Sequence, residues 1–596
     1  MALLKRLLRP AKQDPISVSQ IEALFNEAID LHRRGQVGDA ELIYLSIIEA
    51  QPRNFQVLRL LGVAASQSAN PQGALEWIAK AIAVKPDFTE AYLDRGNVLH
   101  SLGQLDAALA SYDIAIGLAP NFGEAFFNRG NVLRELRRLE PALASFDRAL
   151  ELDPGLVTAH YNRGRVLQEL GRLESAIASY DRAIALKPDF VGAHSNRGTL
   201  LQELQRPEEA LASYNAAIAL KPDFAEGYSN RGTALQELQR LDEALASFDR
   251  AVALKPDYGE SHWNRALAML LAGDYENGWR EFEWRWKTTE VLGSFKREEM
   301  GAAPWTGQES LSEKSILLYC EQGLGDAIQF CRYTKLLAER GARVVIEADR
   351  SLVRLFTTLE GVGEVVAVGD KRPKCDFFCS MLSLPLAFQT TLSSVPAAVP
   401  YLKAEPDKVL AWKTKLDGDS RPKVGLVWSG GFRPNHPELW SVNRRRNIAL
   451  RKLAPLKNPE IEFYSLQKGQ PAASELLGLI AEGWDGPAII AGVEEQVLDF
   501  ADTAALIENL DLIISVDTST AHLAGALGKP VWILNRFDTD WRWLLHREDS
   551  PWYPSVKLYR QESLGAWDPV ILRVRDDLAA WAKSARAKDS AGATAS

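Results

Sequence analysis

Residues 121–154 read NFGEAFFNRGNVLRELRRLEPALASFDRALELDP, and residues 155–188, GLVTAHYNRGRVLQELGRLESAIASYDRAIALKP, repeat them with the small and apolar positions kept. The step is 34 residues. Working outward, prolines recur at Pro52, Pro86, Pro120, Pro154, Pro188, Pro222 and Pro256. Small residues keep the same step at Gly62, Gly96, Gly130, Gly164, Gly198 and Gly232, at Ala40 through Ala244, and at Ala81 through Ala251. Such a unit reads as two amphipathic helices that cross at small residues, the second closed by proline.

This period and these positions resemble the tetratricopeptide repeat, with about eight units over 20–287. Each unit buries its apolar face against its neighbours, so an all-α solenoid with a concave surface is expected. A second 34-residue series is expected on that surface: Asn128, Asn162, Asn196, Asn230 and Asn264, with Asp94 one unit earlier. An asparagine amide has one acceptor and two donors and can pair with peptide groups without reading side chains. The series is similar to the asparagine ladder of the O-linked N-acetylglucosamine transferases, which implies a polypeptide acceptor. A structural role in holding the repeats together is the competing reading. Arginines come next at Arg95, Arg129, Arg163, Arg197, Arg231 and Arg265. They would favour acidic segments, unless their stems simply pack between helices. The last unit ends in YENGWREFEWRWK (275–287), whose Trp279, Trp284 and Trp286 form either a cap docking the repeats on the C-terminal half or an aromatic sugar platform.

At 596 residues the chain exceeds one core, and 46% hydrophobic with 25% charged residues is a globular composition. A net charge of −9 gives no reason to expect nucleic acid as a partner. Four cysteines, Cys320, Cys331, Cys375 and Cys379, are too few for a disulfide framework, and no histidines accompany the CxxxC pair as metal ligands. The leading MALLKRLLRPAK is interrupted by basic residues and no long apolar run comes after it, so a cytoplasmic protein without stable membrane insertion is expected.

Beyond residue 288 the period is lost. β-rich runs at 315–320, 343–348, 364–368, 423–428, 460–466, 488–491, 511–516 and 530–534 alternate with helical stretches, predicting parallel α/β sheets in two Rossmann-like halves. Ligands would sit at the carboxyl ends of their strands. Three segments there carry candidate chemistry. EQGLGDAIQF (321–330) places Gly323 and Gly325 in a strand-to-helix turn and Asp326 at the helix start, as an N-cap or as a general base. Ser429, Gly430 and Gly431 come after a strand and precede Arg444–Arg446, a pattern suited to phosphate through backbone N–H groups and guanidinium charge, unless the arginines are a solvated run. SVDTSTAHLAGALGKP (515–530) ends a strand at Asp517 and opens a helix with Thr518, Ser519 and Thr520, where a pyrophosphate fits. His522 would touch phosphate or base, or pack inside the fold.

Together these segments resemble the heptosyltransferase-like glycosyltransferases (family nine, GT-B fold) over about 310–565, through Gly325-Asp326 and the run Asp517, His522, Leu523, Ala524, Ala526, Leu527, Gly528, Lys529, Pro530. The fused repeats are similar to bacterial repeat-containing glycosyltransferases, including those that modify flagellin. The resemblance implies an inverting, metal-independent transferase using a nucleotide-sugar, with no cofactor. Asp326 would be the catalytic base, and Gly323, Gly325, Ser429, Gly430, Asp517, Thr518, Ser519, Thr520 and His522 would be on the donor side. The DxD of DTDWRW (538–543) is expected to shape the cleft rim rather than hold a metal. The expected division is an N-terminal segment 1–19, repeats 20–287, a connector 288–307, an acceptor-side half 308–405, a linker 406–422, a donor-side half 423–585 with a terminal helix, and a disordered tail 586–596. A lipid-linked or polysaccharide acceptor, and an inactive repeat scaffold, stand as alternatives.

Overall fold

The computed structural model describes residues 17–288, 300–431, 440–493 and 496–593. The basic N-terminal segment through residue 16 and most of the 432–443 insertion lie outside the described residues. The chain divides into two compact units, Met1–Leu204 with Ala219–Lys221, and Gln205–Ile218 with Pro222–Ser596. The second unit thus begins inside the repeats, not at residue 288.

In the first unit, paired helices run from Val18–Arg33 to Val191–Glu203. Each pair arises from the sequence step. Second helices such as Leu139–Leu152 and Leu173–Leu186 end on an extended residue, Asp153 or Lys187, because the proline after it disfavours helical backbone there. The glycines let the helices cross closely. A Cβ on Gly130 would lie 2.8 Å from the Phe146 ring, and one on Gly164 would lie 2.7 Å from Tyr180. Ala142, Ala149, Ala176 and Ala183 are fully buried beside them.

In the second unit, helices Pro207–Leu220 through Tyr275–Phe282 continue the repeat pattern and lead into two α/β halves. All pairings in both sheets are parallel. The first sheet has the order β1-β5-β2-β3-β4, from β1 (Ala303–Pro304), β2 (Ser315–Tyr319), β3 (Arg343–Ala348), β4 (Val362–Ala367) and β5 (Phe377–Ser380). The second has the order β11-β10-β9-β6-β7-β8, from β6 (Lys423–Val427), β7 (Glu462–Ser465), β8 (Ile489–Ile490), β9 (Leu512–Val516), β10 (Val531–Asn535) and β11 (Val556–Arg560). All eight strands expected from sequence are present. Strands β1, β5 and β11 lie outside the expected runs.

Two further expectations are corrected. The linker 406–422 contains a helix, Pro406–Leu416, opened by proline at its first turn and anchored by buried Trp412; its lysines hid that apolar contact in the composition. The terminal helix runs from Trp567 to Ala593, into the tail expected from residue 586, because Ala, Lys and Arg favour continuation. One hydrophobic core joins the last repeat (Leu270, Tyr275, Trp279, Phe282) to both halves through Phe330, Tyr333, Trp541 and Trp552. The 275–287 segment is therefore a docking cap. Trp279 is 2% exposed and donates from Nε1 to the Thr390 carbonyl at 3.0 Å, which rules it out as a sugar platform. Trp284 is already stacked on His262, with ring centroids 3.6 Å apart.

Candidate active site

Strand order locates the crevices. In the second sheet the chain runs from β6 outward through β7 and β8, then returns to place β9 on the other side of β6. The switch point between β6 and β9 is where such sheets bind ligands, outside the carboxyl ends of the strands. A cleft opens there, lined by Ser429 and Gly431 after β6, Ser465, Gln467 and Lys468 at the end of β7, and Thr518, Ser519 and Thr520 after β9.

The two loops differ in what they offer. Beyond β6 the backbone is already engaged. Gln467, 3% exposed, accepts the N–H of Ser429 at 3.0 Å and donates to the Ser429 carbonyl at 3.0 Å, while Asn447 accepts the Gly430 N–H at 2.8 Å. The expected phosphate cradle of Ser429 and Gly430 N–H groups is therefore corrected: side chains hold those groups. Gly430 serves instead as a shelf for Arg446. A Cβ there would lie 2.3 Å from a guanidinium nitrogen, and Arg446 Nη1 donates to the Asp517 carbonyl at 3.2 Å. One of the three arginines, Arg446, is thus fixed between the loops.

Beyond β9 the helix Ser519–Ala526 starts at N-cap Thr518, whose side chain makes no capping bond. Its first N–H groups and its dipole face the cleft, the arrangement that favours an anion. A second helix start on the same cleft wall, Phe500–Glu508, is closed by its own anion: Asp499 accepts from Ala501 and Asp502 N–H, both at 3.0 Å. Between the two, only the Thr518 side is left open for a phosphate. Lys468, which donates from Nζ to the Val497 carbonyl at 2.8 Å, adds positive charge nearby.

Asp326 lies on the other half, in the helix Leu324–Phe330 after β2. This helix packs on Ser519–Ala526, and Gly325 permits the approach: a Cβ there would meet His522 Cδ2 at 2.9 Å. Asp326 is not the N-cap expected from sequence: Gly323 is, and Asp326, at the third helical position, accepts the Gly323 N–H on Oδ2 at 2.8 Å. Its Oδ1 is paired with Arg542, which also donates to Asp540 Oδ1 at 2.9 Å and to Gln329 Oε1 at 2.7 Å. Each carboxylate oxygen keeps a further lone pair, so capping and proton acceptance are compatible. Burial opposes the charge on Arg542, yet Asp540 and Asp326 hold its pKa above the ordinary arginine value. Burial, reinforced by Asp540, raises that of Asp517, whereas Arg542 holds Asp540 low against the cost of burial.

His522 is 5% exposed, 2.9 Å from the Tyr553 hydroxyl through Nδ1 and stacked on Trp543. Burial, then the charge of Arg542, pushes its pKa down to about 3, so it is neutral at ordinary pH. It does not line the β6/β9 cleft, and neither do Gly323, Gly325 and Asp517, also expected on the donor side. The DxD carboxylates are both committed to arginine: Asp538 to Arg445 at 2.9 Å and Arg536 at 3.4 Å, Asp540 to Arg542. Among the described residues no cluster of His, Cys, Asp or Glu is placed to hold a metal.

The repeat asparagines are half-buried and partly engaged. Asn128 donates to Asn97 Oδ1 at 2.9 Å, Asn162 to Asn131 Oδ1 at 2.8 Å, Asn196 to the Tyr161 hydroxyl at 3.1 Å, and Asn264 to Thr233 Oγ1 at 3.5 Å. Asn196 also reaches the Tyr180 hydroxyl at 3.4 Å, so its amide keeps its oxygen, whereas Asn128, Asn162 and Asn264 keep a second N–H as well. Four of the neighbouring arginines, Arg129, Arg163, Arg197 and Arg265, are staples between repeats, each paired with an aspartate. Arg163 bonds Asp147 at 2.6 Å and Ser179 at 2.7 Å, and Arg129 repeats this with Asp113 and Ser145. The charge of these four is met within the scaffold, so they do not mark a site for acidic segments.

Sequence reasoning missed Gln467, Asn447, Lys468, Asp499 and Arg542. None belongs to a recognisable local pattern except Arg542, which lies in DTDWRW. The staple partners were legible, because Asp113, Asp147 and Asp181 keep the 34-residue step, which passes through Asn215 to Asp249.

Tetratricopeptide-repeat family models match residues 25–87, 93–157, 145–178, 164–205, 201–239 and 225–258. The model of glycosyltransferase family 9 (heptosyltransferase) matches residues 466–535, which begin just after β7 and include β8, β9, β10 and the open helix start. The chain is 27% identical over 349 residues to Protein FlbA of Caulobacter vibrioides, covering 53% of this chain and 54% of that one. It is 35% identical over 85 residues to Protein O-mannosyl-transferase TMTC1 of Mus musculus, covering 14% of this chain and 9% of that one. The chain thus spans about half the length of the first relative and a small part of the second. Among solved structures, the repeat protein YrrB is 27% identical, with 31% of this chain and 96% of that one covered at a TM-score of 0.30. MamA is 25% identical, with 28% and 92% covered at a TM-score of 0.28. This chain joins tetratricopeptide repeats to a glycosyltransferase family 9 domain.

Proposed function

We propose that the chain transfers a sugar from a nucleotide-sugar to a hydroxyl of a polypeptide presented by the repeats. The observation that carries this reading is the uncapped start of the Ser519–Ala526 helix, open to the β6/β9 cleft and packed against the helix that bears Asp326. The donor diphosphate lies at Thr518–Thr520, its charge met by the helix dipole, Arg446 and Lys468 without a metal. Asp326 takes the proton of the acceptor hydroxyl, whose oxygen bonds the anomeric carbon as the carbon–oxygen bond to the diphosphate breaks. Attack opposite the leaving group inverts the anomeric configuration. Holding the acceptor on the repeats raises its effective concentration at the cleft. The name of the mouse relative accords with a polypeptide hydroxyl as acceptor. Flagellin is a concrete candidate for it, in the cytoplasm.

Thr518→Asp tests the donor site. A carboxylate at the N-cap closes the helix start as Asp499 closes its own, leaving the fold intact. Calorimetric titration with a panel of nucleoside diphosphates is expected to show binding to the wild type, weakened at least about tenfold in the variant. Equal affinity for both would move the diphosphate away from this helix.

A further inference from the structure

The first sheet has a switch point of its own. β2, β3 and β4 run in one direction, and β5 returns on the other side of β2. The residues at those carboxyl ends are Glu321 after β2 and Ser380 closing β5, hydrogen-bonded to each other. Where the second sheet has an open cleft, this crevice is filled by a side chain from the repeat cap. Arg285, in the turn Glu283–Lys287, is 1% exposed. Its Nε donates to Glu321 Oε1 at 2.9 Å, and its Nη2 donates to Ser383 Oγ at 2.7 Å and Ser380 Oγ at 3.4 Å. Its Nη1 donates to Glu283 Oε1 at 2.6 Å.

Every polar atom of the fork is engaged, and one of its acceptors, Glu321, opens the loop whose Gly323 N–H is held by Asp326. From this geometry we infer that Arg285 is a positioning residue for the reaction: the repeat cap inserts it into the switch point of the first half to fix the loop that aims Asp326. The inference rests on the proposed role of Asp326. It makes the last repeat a working part of the catalytic half, needed even when no acceptor is bound. Loss of the fork frees Glu321, lets the 320–326 loop shift, and misplaces the carboxylate while the β6/β9 cleft stays intact.

The test uses the full chain with Arg285→Lys, which keeps the charge but not the planar fork, and with the double substitution Arg285→Met/Glu321→Gln, which leaves no buried charge unpaired. Ser383→Ala removes two bonds, one to Arg285 and one to Glu283, keeps both charges, and serves if either of these fails to fold. Two readouts are taken: acceptor-free hydrolysis of the nucleotide-sugar alongside donor affinity, and amide exchange across Gly323–Asp326. The expected result is hydrolysis slowed by about 10²-fold, the cost of a misplacement near 1 Å, with donor affinity unchanged. Exchange at Gly323–Asp326 should rise about tenfold or more while Ser519–Ala526 keeps its protection. A variant that melts lower but keeps wild-type hydrolysis and exchange in this loop overturns the inference. If the wild type hydrolyses no nucleotide-sugar, the proposed function fails separately, and the exchange measurement still decides whether Arg285 holds the loop.

Discussion

Replacing His522 by glutamine and lowering the pH gives a measurable change whose size can be worked from the structure. The imidazole is buried beside Tyr553 and Trp543, and burial with the Arg542 charge carries its pKa from 6.5 to about 3. Unfolding therefore lets it take up a proton at any pH between these values. The sign is that of a depressed pKa: the stabilising contribution is complete above pH 6.5 and is lost as pH falls toward 3. Between pH 7 and pH 5 the loss is about 2 kcal/mol, from one to two pKa units at 1.36 kcal/mol each. Glutamine has no such proton, so His522→Gln removes this slope and adds a packing cost that is the same at both pH values. Urea midpoints at pH 7 and pH 5, monitored by indole fluorescence, measure the difference. Of the 16 tryptophans only Trp77 precedes residue 204, so the signal reports the second unit. The wild type should lose about 2 kcal/mol more than the variant over this interval. Parallel pH dependences would show that His522 is solvated or charged in the fold, and that the burial argument is wrong.

Asp326→Asn is expected to slow transfer by roughly 10²–10⁴-fold while donor affinity persists, because Arg542 keeps Asp540 and Gln329 as partners. Single-turnover kinetics on the purified chain measure this, and a variant with more than about a tenth of the wild-type rate removes Asp326 as base. Changing Asn162, Asn196 and Asn230 together to alanine should cripple transfer to the protein acceptor and spare acceptor-free donor hydrolysis. A lowered melting temperature with normal transfer would make the lateral amide bonds, such as Asn162 to Asn131, their whole purpose.

Much was legible from sequence because it is local or periodic. The 34-residue step reports which faces of neighbouring helices meet, since glycine is the residue that admits the Phe146 and Tyr180 rings. Apolar runs of strand length marked eight of the eleven strands among the described residues, and hydroxyl residues after β9 marked a helix start. What the sequence could not carry is pairing between distant segments. β5 is four residues long, with no alternation to betray it, yet its return beside β2 creates the first switch point. Asp326 and Arg542 are 216 positions apart, and nothing in either neighbourhood names the other. Glycines after β6 suggested free N–H groups, but Gln467 and Asn447 arrive from elsewhere to occupy them. The sequence by itself determined the repeats, the two parallel α/β halves and the loops that bear the chemistry, because backbone propensity and side-chain periodicity act over a few residues. Only the tertiary structure decided which of those loops is open, which arginine holds the aspartate, and that the repeat cap reaches into the first half. Hydrogen-bond satisfaction in a buried site is settled by whichever groups packing brings within about 3 Å, wherever they stand in the chain.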